Sequence, residues 1–203
     1  MQTKERNVAS FEHTIRSRYS CRDFSPQTVP RALLDRLLRA AQGITHADGK
    51  RSVPSASSLY SLKLLAIAGR IRGLDAAAYI FDPESCRLET YLDHDVRYAL
   101  QHAALEEQPW IGQAAGIITI CADMGAATQT FADQPPYGSR GQRYAWIEAG
   151  AAAQNIQLQA TAEELGSVLV AGFRDEATAE ALVLEAPITP LIHLCFGWPA
   201  AKQ

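Results

Sequence analysis

Arg18, Ser20 and Arg22 stand at alternate positions of the segment Arg18-Tyr-Ser-Cys-Arg-Asp-Phe24. In an extended strand residues two apart share a face, so two guanidiniums and a hydroxyl would converge there. That set suits a phosphate, which arginine grips through paired N–H donors. A salt-bridged surface strand is the competing reading, because exposed charge is the default. A second polar set, Pro54-Ser-Ala-Ser-Ser-Leu-Tyr60, brings Ser55, Ser57 and Ser58 just before the apolar run Leu62 to Ala68. Such hydroxyls cap a helix, line a ligand's polar chain, or simply form a loop. Other chemistries find less support. The five histidines show no ligand spacing, and His193 sits in an apolar strand pattern that fits a satisfied core residue. Cys21, Cys86, Cys121 and Cys195 lack the close pairs of zinc or redox motifs. Gly166-Ser167 fits a helix exit better than a nucleophile elbow.

The element best suited to organise these groups is a long helix over Arg143 to Leu165, with no proline to interrupt it. Ala149 to Ala153 leave it almost without side-chain bulk, so it either lies deep in a core or lets another backbone approach closely. Gly166 fits its C-terminal cap, and Val168 to Val170 fits a buried strand ending at Ala171-Gly172. A buried helix feeding a strand that stops at a glycine can hold a flat cofactor.

The remaining elements follow from local pattern. Ser10 to Ile15 begins a first helix, and Arg31 to Gln42 carries an apolar stripe of Leu33, Leu34, Leu37, Leu38 and Ala41. Ala77 to Pro83 and Arg87 to Tyr91 read as paired strands around a turn at Asp82-Pro83-Glu84. Arg97 to Glu107 reads as a helix, and Gly116 to Ala122 as a strand for a sheet centre. Asp123 to Tyr137 is polar, holds Pro135-Pro136, and reads as a mobile loop over a site. Asp175 to Leu184 is a short helix and Pro190 to Phe196 a last strand. Strands interspersed with helices predict an α+β sandwich around a mixed sheet. With 203 residues, 47% of them hydrophobic, the chain forms one domain over residues 1–203. A net charge of -3 gives no argument for nucleic acid or an anionic membrane. Scattered thiols and the absence of a secretory signal pattern point to the cytoplasm.

Arg18-x-Ser-x-Arg-x-Phe24, Pro54-Ser-Ala-Ser-Ser58 and Leu165-Gly-Ser-Val-Leu-Val-Ala-Gly-Phe173 stand in the order seen in the nitroreductase family of flavin enzymes, and the resemblance covers nearly the whole chain. Pro54 to Tyr60, the strand from Tyr79 to Pro83, Tyr137-Gly-Ser-Arg-Gly-Gln-Arg-Tyr144, Glu148-Ala-Gly and Ala153-Gln-Asn155 resemble the branch containing thiazole/oxazole-forming peptide dehydrogenases. The resemblance implies FMN, a three-layer α+β fold with a mixed central sheet flanked by helices, and a homodimer with flavin sites at the subunit interface. It implies that Arg18 and Ser20 hold the phosphate and ribityl chain, with Arg22 near the N1/O2 edge of the ring. Ser55, Ser57 and Ser58 would line the ribityl chain or ring edge, and the backbone at Ala171 and Gly172 would direct an N–H to N5. Lys202 is either a second phosphate contact or a frayed, solvated end.

The chain also departs from the family pattern. Tyr19, counted with the flavin-binding segment, stands where many relatives carry a second basic residue. Ser58 replaces an asparagine, and Tyr60-Ser-Leu62 replaces Gln-Pro-Trp. Pro136 precedes Tyr137 where azoline-forming relatives carry the lysine of a lysine–tyrosine pair. Tyr137 remains the candidate catalytic residue, although an ordinary phenol, with a pKa of about 10, is a poor base near neutral pH. The resemblance therefore implies an FMN oxidoreductase moving hydride from NAD(P)H to a nitroaromatic or quinone by a ping-pong cycle. A dehydrogenase of a peptide azoline or other specialised metabolite and a non-catalytic flavin binder are the alternatives.

Overall fold

The computed structural model describes residues 11–201. Its strands are β1 (Val29–Pro30), β2 (Leu62–Ala68), β3 (Ile71–Arg72), β4 (Ala77–Asp82), β5 (Arg87–Leu92), β6 (Gly116–Asp123), β7 (Gly166–Val170) and β8 (Ile188–Gly197). Its helices are α1 (Phe11–Ser17), α2 (Arg31–Gln42), α3 (Arg97–Ala103), α4 (Trp110–Gln113), α5 (Met124–Thr130), α6 (Arg140–Ala162) and α7 (Asp175–Ala181). Six strands form one sheet in the order β5-β4-β2-β6-β8-β7.

The sheet follows from strands that alternate between two buried faces. Leu62, Leu64, Ala66 and Ala68 of β2 pack with Leu34, Leu37, Leu38 and Ala41 of α2 and with the alanines of α6. Leu65 and Ile67 point the other way, onto Leu100 of α3, Ile111 of α4 and Leu182 after α7. Two cores on opposite faces of one sheet make the three layers of the expected α+β architecture. Strand β6, buried from Gly116 to Ala122, lies between β2 and β8 as its continuous β-branched run required. The paired strands expected around Asp82-Pro83 are β4 and β5.

All five pairings inside the sheet are antiparallel. Among the described residues parallel pairing is confined to β1 with β3 and to a single bridge from Ser20 to Ser167 at the sheet edge, so the mixed character sits outside the six main strands.

Three local expectations needed correction. Helix α6 starts and ends three residues earlier than the pattern suggested, and its left-handed exit residue is Glu164 (φ 62) rather than Gly166, which already belongs to β7. The helix expected to Glu107 stops at Ala103, because Ala104 bridges to Phe173 and the Leu105 N–H donates to the Gly172 carbonyl (3.0 Å). The first half of the expected mobile loop is helix α5. Asp123 caps it by accepting from the Ala126 N–H (2.8 Å), and it packs on α6 so closely that a Cβ on Gly141 would lie 2.0 Å from the Ala127 carbonyl oxygen. Only residues 132–139 remain as exposed turns.

The small face of α6 is an intrachain face. Ala145, Ala149, Ala152, Ala153, Ile156 and Ala160 are buried in the core, whereas Gly150 has nothing within 4 Å of a would-be Cβ and Trp146 and Ile147 are exposed beside it. Among the described residues no helix is long and apolar enough to cross a membrane.

Candidate functional site

The segment from Arg18 to Ser25 is fastened to the edge of the sheet formed by β7. Ser20 bridges Ser167, and the Cys21 N–H donates to the Ser167 carbonyl (2.9 Å). The C-terminal tail closes on its other side, where Ser25 N–H donates to the Trp198 carbonyl (2.8 Å) and Ala200 N–H to the Asp23 carbonyl (3.0 Å). Cys21 is buried while Ser20 and Arg22 are exposed, the alternation expected of extended chain. Gly166 is the residue that lets the segment lie so close, because a Cβ there would come within 2.5 Å of the Cys21 sulfur.

Neither Arg18 nor Arg22 has a carboxylate partner among the described residues, which removes the salt-bridged reading of the pattern. Arg22 lies with its guanidinium carbon 5.4 Å from the centre of the Trp110 ring. Tyr19, Cys21, Arg22, Asp23 and Pro199 to Ala201 enclose a cleft of about 450 Å³. Burial, with Cys21 beside it, raises the Tyr19 phenol above its ordinary pKa. Lys202 lies outside the described residues.

Strand β7 leads from this segment to Ala171-Gly172. The Gly172 carbonyl accepts twice, from the Leu105 N–H (3.0 Å) and from Gln108 Nε2 (3.1 Å). A Cβ on Gly172 would meet only Gln108 Nε2, at 3.7 Å, so its other side is open. Arg18, Tyr19, Ser20, Arg22, Ala171 and Gly172 thus share one sheet edge.

Ser55, Ser57 and Ser58 do not join them. Their loop precedes β2, which is separated from β7 by β6 and β8, three strand spacings or about 14 Å. The loop has an unusual backbone: Ser57, Ser58 and Tyr60 all adopt left-handed conformations (φ 52, 52 and 50) without a glycine. Each such residue costs about 1–2 kcal/mol, so neighbours must hold it. Ser55 Oγ accepts from the Tyr60 N–H (2.8 Å), the carboxylate of Glu148 accepts from the Ala56 N–H (2.7 Å), and the Arg51 guanidinium lies 4.4 Å from the Tyr60 ring centre. Tyr137, 74% exposed, precedes the N-terminus of the 23-residue helix α6, whereas β7, to which the arginine segment is bridged, follows the other end of that helix.

Sequence reasoning missed Gln108, Trp110 and the loop-holding role of Glu148. The signal for Glu148 was a charged residue among the alanines of a core-facing helix stripe; Gln108 and Trp110 flank Pro109 at a helix start and carried no readable pattern. His193 is only half satisfied: Nδ1 pairs with Thr119 Oγ1 (2.8 Å), Nε2 is buried without a partner, and burial holds its pKa down at about 3. Among the described residues no group of three or more His, Cys, Asp or Glu could hold a metal ion.

The model of the nitroreductase family matches residues 15–198. This chain belongs to the nitroreductase family. A nitroreductase-like protein of Methanocaldococcus jannaschii is 32% identical over 186 residues, covering 92% of this chain and 89% of its relative. Among solved structures, a nitroreductase-like protein of Ralstonia eutropha JMP134 superposes with a TM-score of 0.80 at 23% identity, over 100% of this chain and 89% of the other. A chain of the E. coli microcin synthetase McbBCD complex, solved with truncated pro-MccB17, superposes at 0.75 with 22% identity, over 100% of this chain and 76% of that one. At such identities the structural likeness establishes a shared fold, and the family match establishes a nitroreductase-type oxidoreductase. Among the described residues the candidate site residues fall into two separate groups, one at the β7 edge and one before β2.

Proposed function

We propose that the chain is an FMN-dependent oxidoreductase that works as a homodimer. FMN, when bound, supplies two-electron transfer, taking hydride from NAD(P)H and releasing electrons to a nitroaromatic, quinone or related acceptor in a ping-pong cycle. The observation that carries this reading is Arg18 and Arg22, without a carboxylate partner among the described residues, on the segment bonded to β7, the strand that ends at the open side of Gly172. Two cations without a carboxylate partner suit an anion that the chain itself does not supply.

The residues present fit the cofactor. Arg18 and Ser20 would hold its phosphate and ribityl chain, with Lys202 of the tail as a second phosphate contact. Arg22 would stand at the N1/O2 edge, where a fixed cation offsets negative charge on the reduced ring. The Ala171-Gly172 backbone, fixed by the two donors on the Gly172 carbonyl, would offer an N–H toward N5. The serines at 55, 57 and 58 would come from the second copy, because in one chain their loop precedes β2, three strand spacings (about 14 Å) across the sheet from β7, and lies at the opposite end of the sheet from the Ser20–Ser167 bridge. The exposed Trp146 and Ile147 on α6, and Phe11 and Ile15 on the α1 helix packed along it, offer the apolar surface that a dimer would cover.

A second reading, a dehydrogenase acting on a peptide azoline, is favoured by the fold shared with the microcin synthetase complex. Pro136 in place of a lysine leaves the exposed Tyr137 as the sole acid–base group of that pair. Anaerobic titration of the purified protein with NADH and NADPH, followed at the flavin absorbance band, separates the two. Bleaching that air or a quinone reverses supports the nitroreductase chemistry. Bound flavin that refuses both nicotinamides transfers the weight to the peptide dehydrogenase or to a non-catalytic binder, and a protein that binds no flavin overturns the proposal.

A further inference from the structure

Glu148 is the one buried carboxylate among the described residues, 7% exposed on the core-facing side of α6. No lysine, arginine or histidine pairs with it among those residues. Burying a carboxylate without a cation is costly unless hydrogen bonds stabilise the charge. The Glu148 hydrogen bond among those residues comes from the Ala56 N–H, at 2.7 Å, next to Ser55. Ser55 is itself engaged further along, since its Oγ accepts from the Tyr60 N–H at 2.8 Å. One bond from the helix to Ala56 and one from Tyr60 back to Ser55 therefore hold the loop, and the second closes over Ser57 and Ser58 and ends on Tyr60, the three left-handed residues.

The loop is clamped at its far end as well. Arg51, which donates to Gln42 Oε1 at 2.8 Å, covers the ring of Tyr60. Between the clamps, Ser57 and Ser58 are exposed, and the loop backbone rather than a contact of their own side chains sets where their hydroxyls point. Packing alone does not explain Glu148, because an aliphatic side chain would fill the same space at lower desolvation cost. Backbone held in a sparsely populated region by a dedicated buried group marks a ligand-binding loop rather than a passive connection.

We propose that Glu148 is a positioning residue: its carboxylate holds residues 55–60 in the loop conformation, left-handed at Ser57, Ser58 and Tyr60, that presents the Ser57 and Ser58 hydroxyls to the hydroxylated chain of a bound ligand. The ligand half of this statement rests on the flavin reading above; the conformational half does not. Glu148 touches no reacting atom, so its effect must travel through the loop.

The test uses the full-length protein with Glu148→Ala and Glu148→Gln, and Ile156→Ala as a cavity control on the same helix. Amide hydrogen exchange at Ala56 and Tyr60 is measured without flavin, and the FMN dissociation constant by equilibrium titration. Glu148→Ala is expected to lose protection at both amides and to weaken FMN about tenfold or more, the worth of a charge-assisted hydrogen bond. Glu148→Gln, which keeps an acceptor for the Ala56 N–H, is expected to retain most of both, and Ile156→Ala to lower thermal stability while leaving both unchanged. Unaltered protection in Glu148→Ala, or lost protection with unaltered FMN affinity, overturns the proposal. So does an equal loss of affinity in the cavity control. A wild-type protein that takes no FMN overturns the flavin reading and the ligand half together, and the exchange data then still decide whether Glu148 sets the loop.

Discussion

Replacing Gly166 with alanine tests whether the arginine segment is rigidly seated on β7. Gly166 lies in a strand without a positive φ, so by chain entropy alone the substitution would stabilise the protein by about 0.4–1 kcal/mol. Sterics oppose this. The new Cβ would lie 2.5 Å from Cys21 Sγ, 2.7 Å from Cys21 Cβ and 3.3 Å from Pro199 Cγ. Carbon contacts are comfortable at about 3.5–4.0 Å, so the deficit is about 1 Å. Cys21 cannot swing away cheaply: it is buried, its sulfur donates to the Asp23 carbonyl (3.3 Å), and its N–H is bonded to Ser167. Overpacking of this kind costs about 1–3 kcal/mol. The net expectation is a loss of about 1–2 kcal/mol, which in a domain of about 150–250 residues lowers Tm by about 2–8 °C. Since relief of the clash pushes Cys21 outward, the flanking Ser20 and Arg22 move with it and FMN binds more weakly. Thermal unfolding without flavin and an FMN titration read the two effects separately. Adding Cys21→Ala to Gly166→Ala should recover part of the stability, with a coupling of about 0.5 kcal/mol or more. A Gly166→Ala protein as stable as wild type, or more so, would refute the argument, because it would mean that the segment yields freely at the sheet edge.

Replacing Arg18 and Arg22 together with alanine is expected to abolish flavin retention while leaving the flavin-free Tm nearly unchanged, because neither side chain has a carboxylate partner to lose; unchanged flavin occupancy refutes the phosphate assignment. His193 makes stability fall with acidity. Burial holds it neutral down to about 3, whereas in the unfolded chain it takes a proton near the ordinary value of about 6.5. The stability it contributes is therefore complete above about 6.5 and declines as pH drops from there toward its folded value. Urea midpoints should show that decline in wild type and a smaller one in His193→Gln. Among the four thiols, Cys86 alone should react with a thiol reagent under native conditions, since Cys21, Cys121 and Cys195 are buried and burial pushes Cys121 up to about 12. Mass spectrometry of the labelled protein reads the site, and labelling at Cys121 or Cys195 would contradict the packing of the second core.

Local pattern in the sequence determined most of the elements and the identity of the polar motifs. The stripe of α2, the buried run of β6 and the Asp82-Pro83 turn each depend on residues within a few positions of one another, so their periodicity and turn chemistry suffice. The Arg18-x-Ser-x-Arg segment was recognisable for the same reason. What local pattern could not supply was distance across the fold. That Gly166 serves a close approach by Cys21 rather than a helix cap depends on a contact between segments far apart in the sequence. That Glu148 is committed to Ala56 depends on how α6 crosses the sheet. Tertiary structure also decided that the serine loop and the arginine segment adjoin different strands of one sheet, β2 and β7. Strand order follows from how two cores are buried together, and no window of sequence contains that competition.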